Sequence, residues 1–235
     1  MGACQVLGVV PVRLASTRLP GKALLPAAGI PLFAHVARAL AAAERVDRTL
    51  VATDAPEVAA AAAELGIEAV MTSPDHRTGS ARCAEAAAGI ACEVVIDAQG
   101  DWPEILPADL DRLARVMVEG ESPVATLVRP LREEAVAAVP HVVKVVGDAR
   151  DRALYFSRCP IPWGRAGEAT ARLRHVGVYA FRRQVLLGLG DLPPCPAASA
   201  EGLEQLQFLH GGVEIELVPA RGEPWGIETK EDYDA

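Results

Sequence analysis

The chain has 235 residues, 51% hydrophobic and 23% charged, with a formal net charge of -8 and five cysteines. That balance is globular, which excludes a disordered chain, and its acidity excludes a general polyanion binder. Only 4% of residues are aromatic, too few for a stacking platform, so no nucleic-acid partner is expected. No apolar run approaches the ~20 residues of a membrane span, and the first residues lack the pattern of a secretory signal. The cysteines are scattered without a CxxC, so neither a zinc site nor a disulfide framework is indicated. The expectation is a cytoplasmic protein with no membrane partner.

Gln5 to Val12 (QVLGVVPV) suits a strand buried on both faces of a parallel sheet. Pro31 then opens a helical stretch, LFAHVARALAAAERV, and Arg48 to Thr53 is a second strand. Pro56 to Leu65 is an Ala-rich helix stopped by Gly66. Ile67 to Thr72 is a third strand, Ser80 to Ala91 another helix, and Glu93 to Asp97 a fourth strand. This alternation predicts an α/β fold of βαβ units, a three-layer, mostly parallel sheet. Beyond it, Val124 to Val128, Val142 to Val146, Leu173 to Phe181 (with Gly177 inside) and Glu214 to Val218 are strand-like. Pro193 to Ala200 reads as a loop, and without repeat or linker the chain reads as one domain, 1–235.

Ligands of open α/β sheets collect beyond the carboxyl ends of the strands. The loop after the first strand, Pro11 to Lys22, carries Arg13, Arg18 and Lys22, the hydroxyls of Ser16 and Thr17, and Gly21. Backbone N–H groups with Arg and Lys at that place form an anion cradle suited to a polyphosphate. It is neither GxGxxG nor GxxxxGK[ST], and from spacing alone a solvated basic loop fits equally well. After the fourth strand, Gln99-Gly100-Asp101 puts a carboxylate where a Mg²⁺–triphosphate complex needs one, and Glu228 in GIET is a second candidate. Asp232 reads as a surface residue or helix cap. The basic first turn with one Gly argues against a dinucleotide-binding oxidoreductase, and the two acids argue against a nucleotide-binding regulator without turnover.

The runs PVRLASTRLPGKAL, TSPDHRTGSAR, QGDWP, KVV, LYFSRCPIPW, RHVGVYAF, LEQL and GIETKED lie in the order and spacing of one family. From Val10 to Asp232 the chain resembles the bacterial 3-deoxy-manno-octulosonate (KDO) cytidylyltransferases. The resemblance implies a nucleotide-diphospho-sugar-transferase-like (Rossmann-like) fold, usually dimeric, and transfer of CMP from CTP to an acidic acceptor, with Mg²⁺ and release of pyrophosphate. By position it implies that Arg13, Lys22 and Asp101 are catalytic and that Leu14, Ala15, Ser16, Thr17 and Arg18 hold the triphosphate. Ser80 and Arg82 would border the cytosine, and Asp101 and Glu228 would ligate the metal. Gln99, Arg158, His175, Tyr179, Glu204 and Gln205 would form the acceptor pocket, although Tyr179 and His175 by themselves read as a packed strand pair. The nucleotide half would be about 1–110 and the acceptor-binding and dimerisation half about 111–235.

The chain departs from the pattern in four places. Glu228 stands for an Asp, Trp102 replaces the acid of QGDEP, and the acceptor-side segment CPAASAEGLEQLQ has Ala198 for a Glu and Gln207 for an Arg. The connection from Trp163 to Arg174 is short, and the family's C-terminal helix has no counterpart after KEDYDA. An intact nucleotide half beside a trimmed acceptor half points to a changed acceptor, because specificity is a difference of affinities. A small phosphonate such as phosphonoformate is the favoured expectation, with KDO, the precursor for lipopolysaccharide, the alternative.

Overall fold

The computed structural model describes residues 4–15, 19–131, 133–165 and 171–235. In the first half the order is β1 (Val6–Val12), a hairpin of β2 (Pro26–Ala27) and β3 (Ile30–Pro31), α1 (Leu32–Ala42), β4 (Arg48–Thr53), α2 (Pro56–Glu64), β5 (Ala69–Met71), α3 (Gly79–Ala88) and β6 (Val94–Ala98). There follow α4 (Pro107–Glu119), β7 (Val124–Leu131), α5 (Glu134–Ala137), β8 (Lys144–Gly147), β9 (Ala153–Ser157) and β10 (Arg172–Arg182). The chain ends with α6 (Arg183–Leu187), α7 (Pro196–Glu201), α8 (Gln205–His210), β11 (Ile215–Pro219) and α9 (Lys230–Asp234).

One large sheet runs β11-β7-β10-β6-β1-β4-β5, with β8 on β10 and β9 on β8. The expected parallel, three-layer architecture is present, because β1 is buried at every position and sends alternate side chains to two cores. Val6, Val10 and Val12 meet α1, α2 and α4 on one face, while Leu7 and Val9 meet α3, α6 and α8 on the other. Each such Val or Leu taken fully out of water contributes about 1.5–3 kcal/mol.

β10 is the exception that shapes the site. It runs antiparallel to both β6 and β7, with Val178 opposite Ala98, so Val176 and earlier residues extend past the carboxyl end of β6. A register shift between Val176 and Tyr179 surrounds Gly177. Two readings need correction. Pro193 to Ala200 is not all loop, because Pro196 stands at the first position of α7, where a missing N–H costs nothing. And α4 was unread, although Leu110, Leu113, Ala114 and Met117 have helical spacing. Among the described residues no helix is long and apolar enough to cross a membrane.

Candidate active site

Parallel strands β1 and β6 deliver their carboxyl ends to one edge, and a cavity of about 1100 Å³ opens there. Arg13, Gln99, Arg82 and the loop from Asp75 to Gly79 are on its wall. Thr78 caps α3 by accepting the Ala81 N–H, and Gly79 follows because any Cβ there would run into the Gln99 amide at 2.2 Å. Arg13 is exposed in the cavity, Leu14 packs partly on the core, and Ala15 is exposed. Ser16, Thr17 and Arg18 lie outside the described residues. Arg82 is buried and its guanidinium spans the ends of β4 and β5, 2.5 Å from Thr72 Oγ1 and 3.4 Å from Asp54 Oδ2. Ser80 is turned away from the cavity; its hydroxyl donates inward to Asp97 at 3.2 Å.

Lys22 and Asp101, 79 positions apart, meet at 2.8 Å, and Glu228 Oε2 lies 4.0 Å from the same ammonium. The Ile227 N–H donates to the Asp101 carbonyl at 2.9 Å, which fastens the segment carrying Glu228 to the loop carrying Asp101. Asp101 Oδ2 faces the lysine, whereas Oδ1 is buried with no hydrogen-bond partner among the described residues. An unsatisfied buried carboxylate oxygen is costly unless something positive takes it. No third His, Cys, Asp or Glu joins a cluster among the described residues. Two acids are nevertheless the usual protein share of a Mg²⁺ site completed by phosphate oxygens and water.

Asp232 is the cap the sequence allowed, and it is half-buried. Its Oδ1 accepts the Trp225 indole N–H at 3.1 Å, and its Oδ2 accepts the N–H groups of Glu228 (3.0 Å) and Thr229 (2.8 Å). The loop bearing Glu228 is therefore shaped by a residue four positions later.

A second cavity of about 260 Å³ adjoins the first across Gly79, Gln99 and Glu204, which line both. Arg158, His175, Tyr179 and Gln205 are on its wall, so all six expected acceptor residues converge here. Arg158 spends three donors on the carbonyls of Glu201 (2.6 Å), Pro140 (3.0 Å) and Gly202 (3.2 Å), and its five N–H groups leave two for a ligand. His175 and Tyr179 are a packed pair, ring centroids 5.2 Å apart, and they also face the cavity. Burial pushes the His175 imidazole down to about 3, so the ring is neutral at ordinary pH. Thr126 gives its single proton to the Val178 carbonyl at 2.8 Å, so His175 must donate from Nε2, 3.0 Å away. Nδ1 is then left as an acceptor.

Three residues that sequence reasoning missed complete the walls. Lys144 is fully buried, with its ammonium on the carbonyls of Val142 (2.6 Å), Val139 (3.3 Å) and Arg158, so it pins two walls of the smaller cavity. Burial lowers its pKa. Arg174 lies 4.8 Å over the Trp225 ring. Asp97 is sealed beneath both cavities, where burial first and the nearby Glu204 carboxylate second push it up to about 8. Glu204 is raised too, chiefly by desolvation. An acid inside the apolar run EVVID was the available signal for Asp97.

Known proteins are similar to this one over nearly all of the chain. A sequence model described as cytidylyltransferase matches residues 7–215. A protein of Afipia carboxidovorans named 3-deoxy-manno-octulosonate cytidylyltransferase is 43% identical over 98% of this chain and 95% of its own length. One of the same name from Chlorobium phaeobacteroides is 42% identical, over 98% and 94%. The solved structure of a CMP:2-keto-3-deoxy-manno-octonic acid synthetase complexed with CTP superposes with a TM-score of 0.91 at 38% identity, covering 98% of this chain and 95% of that one. A nucleotidyl transferase from Methanothermobacter, at 20% identity and a TM-score of 0.65, shares the fold. The basic loop, the paired acids and the two adjoining cavities thus sit in a chain that belongs to the cytidylyltransferase family and is a nucleotidyltransferase.

Proposed function

We propose that this protein transfers the cytidylyl group of CTP to 3-deoxy-manno-octulosonate, forming CMP-KDO and pyrophosphate, a step that serves lipopolysaccharide synthesis. The observation that carries the reading is the meeting of a nucleotide-sized cavity with one of about 260 Å³ that Asp101 and Glu228 line, both acids being held near the Lys22 ammonium. The smaller volume, near the lower end of ordinary ligand pockets, suits one sugar acid. Relatives about 40% identical over nearly the whole chain bear the KDO name, and nothing comparable supports the phosphonate favoured from the trimmed acceptor segment.

In this reading Arg13 and Lys22 hold the triphosphate, and Arg158 orients the acceptor carboxylate with its remaining donors. Neutral His175 accepts from an acceptor hydroxyl through Nδ1, and Gln205, Glu204 and Tyr179 shape the pocket around it. The acceptor oxygen then forms its bond to the α-phosphorus as the bond to the β-phosphate oxygen breaks in line. The chain supplies position and charge, not a nucleophile. Asp101 and Glu228 would hold Mg²⁺, and the buried Asp101 Oδ1 is the oxygen best suited to it. When bound, that ion offsets the negative charge of the triphosphate and of the departing pyrophosphate.

A homodimer is part of the proposal: Leu154 and Tyr155 on β9 and the nearby Trp163 are exposed apolar groups that a second copy would cover. Pyrophosphate release from CTP, measured with KDO and with phosphonoformate, tests the assignment. KDO is expected to support turnover; turnover with the phosphonate alone overturns the proposal.

A further inference from the structure

The floor of the smaller cavity is an indole that the reaction scheme above leaves unused. Trp102 follows Asp101, and a tight turn fixes it: its N–H donates to the Gln99 carbonyl at 3.2 Å, and its carbonyl accepts the Ile105 N–H at 3.1 Å. The ring packs partly on the core and lines the cavity. Two glycines from distant parts of the chain meet it. A Cβ on Gly177 would lie 2.8 Å from Trp102 Nε1, and a Cβ on Gly226 would lie 3.1 Å from Cζ2. Neither glycine has a positive φ. Conformational freedom is therefore not what the positions require; the approach of the ring is.

Glycine inside an eleven-residue strand weakens it and marks a close approach. Gly177 stands at the irregular point of β10, between the cavity residues His175 and Tyr179. The edge of the indole that carries Nε1 faces this bare position. No hydrogen bond takes the Nε1 proton among the described residues, and the atom is not among the buried unsatisfied ones. A polar N–H, reachable from a cavity and set on a broad apolar ring, matches a sugar, which offers C–H surface and hydroxyls together. For a compact dianion only the N–H is of use, and the apolar face of the ring is not.

We infer that Trp102, seated between Gly177 and Gly226, is a specificity-determining residue that reads the ring of the acceptor. The inference rests on the functional proposal above and deepens it. The Trp102 ring forms the apolar floor beneath the sugar, and its N–H donates to an acceptor hydroxyl. Glu228 and the indole share one support, because Gly226 touches the ring while the neighbouring Ile227 N–H holds the Asp101 carbonyl.

Steady-state kinetics with KDO and CTP on Trp102→Phe, Trp102→Ala and Gly177→Ala test this. Trp102→Ala is expected to raise the KM for KDO about tenfold or more and leave the KM for CTP within twofold. Trp102→Phe keeps the floor and loses the N–H, so its rise is smaller, about threefold to fivefold. Gly177→Ala displaces the ring and follows Trp102→Ala. Binding without turnover gives a separate readout: KDO added without CTP should change the intrinsic tryptophan fluorescence, and Trp102→Phe should remove most of the change, leaving the response of Trp225, which lines the same cavity. Wild-type protein silent with KDO overturns the functional proposal. Wild-type turnover with a KM for KDO that Trp102→Phe and Trp102→Ala leave unchanged overturns this inference alone, as does a parallel change in both KM values.

Discussion

The two cavities are built in opposite ways. The larger one stands at the carboxyl ends of parallel strands, where β1 and β6 each run directly into a loop that lines it. Its chemistry is local: Arg13 comes from the loop after β1 and Gln99 from the loop after β6, with the turn before α3 beside them. The smaller one shares the loop after β6, through Gln99, Asp101 and Trp102, but draws most of its wall from elsewhere. Its wall joins the antiparallel β10, the loop before β8, the start of α8 and the return of the chain at Trp225 and Glu228. A parallel sheet offers a ready-made edge for a nucleotide, whereas the acceptor side depends on one reversed strand and on polar anchors such as the buried Lys144 and the half-buried Asp232. Substitutions should therefore separate the two sides.

The largest effect is expected at the pair of Lys22 and Asp101. Asp101→Asn and Lys22→Ala should each lower pyrophosphate release by roughly 10²–10³-fold, the usual scale for a group that stabilises developing charge. Circular dichroism should stay unchanged, because both residues sit at a partly exposed rim. The double variant should lose little more than either single one, since the two groups act on the same phosphates. Independent, multiplying losses would show that Lys22 and Asp101 serve different steps.

Substitutions confined to the acceptor side should be milder and selective. Arg158→Lys removes the planar fork, so the KM for the acceptor should rise about tenfold while that for CTP holds. Its melting temperature should also fall, because three carbonyl bonds are lost. Smaller again is Asp232→Ala, which deprives Trp225, Glu228 and Thr229 of their acceptor. Loss of such a cap costs on the order of 1 kcal/mol. The half-saturating Mg²⁺ concentration should rise several-fold with it, read by titration of activity and by calorimetry with Mn²⁺. Unchanged metal dependence would mean that Asp232 shapes the loop without placing Glu228.

The same contrast explains what could be read from the sequence. β1, β4, β6 and the basic loop were legible because an apolar run, a turn and a charge cluster are contiguous there. The encounter of Lys22 with Glu228 was not readable from spacing, since 206 positions separate them and only the resemblance to a family joined them. α7 was hidden by Pro196, a residue that marks loops in general but is equally at home at a helix start. Asp97 went unread because a single acid at the end of EVVID is indistinguishable from a solvated strand terminus until β10 covers it, with Tyr179 in register opposite. Trp102 stood out as an unusual residue, yet its role needs Gly177 and Gly226, which local pattern cannot bring to it.

The effect expected at Asp97 concerns stability, not rate. The residue lies beneath the boundary of the two cavities, where Ser80 Oγ donates to its Oδ2 at 3.2 Å and Gln99 Nε2 to its Oδ1 at 2.6 Å. Cys83, Glu204 and Tyr179 face it from α3, the start of α8 and β10. With a folded pKa of about 8 against an ordinary 3.8, the native state keeps a proton that the unfolded chain gives up. Between about pH 4 and pH 8 the native state thus binds more protons, and stability must fall as pH rises. Above pH 8 both states are ionised and the loss is complete. Asp97→Asn, a neutral near-isostere, should remove this decline, so that its melting temperature drops less than that of the wild type from pH 5 to pH 8. The contribution of His175 is common to both proteins and cancels in the comparison. Parallel melting curves across that range would mean that Asp97 is ionised in the fold, its charge held by Ser80 and Gln99.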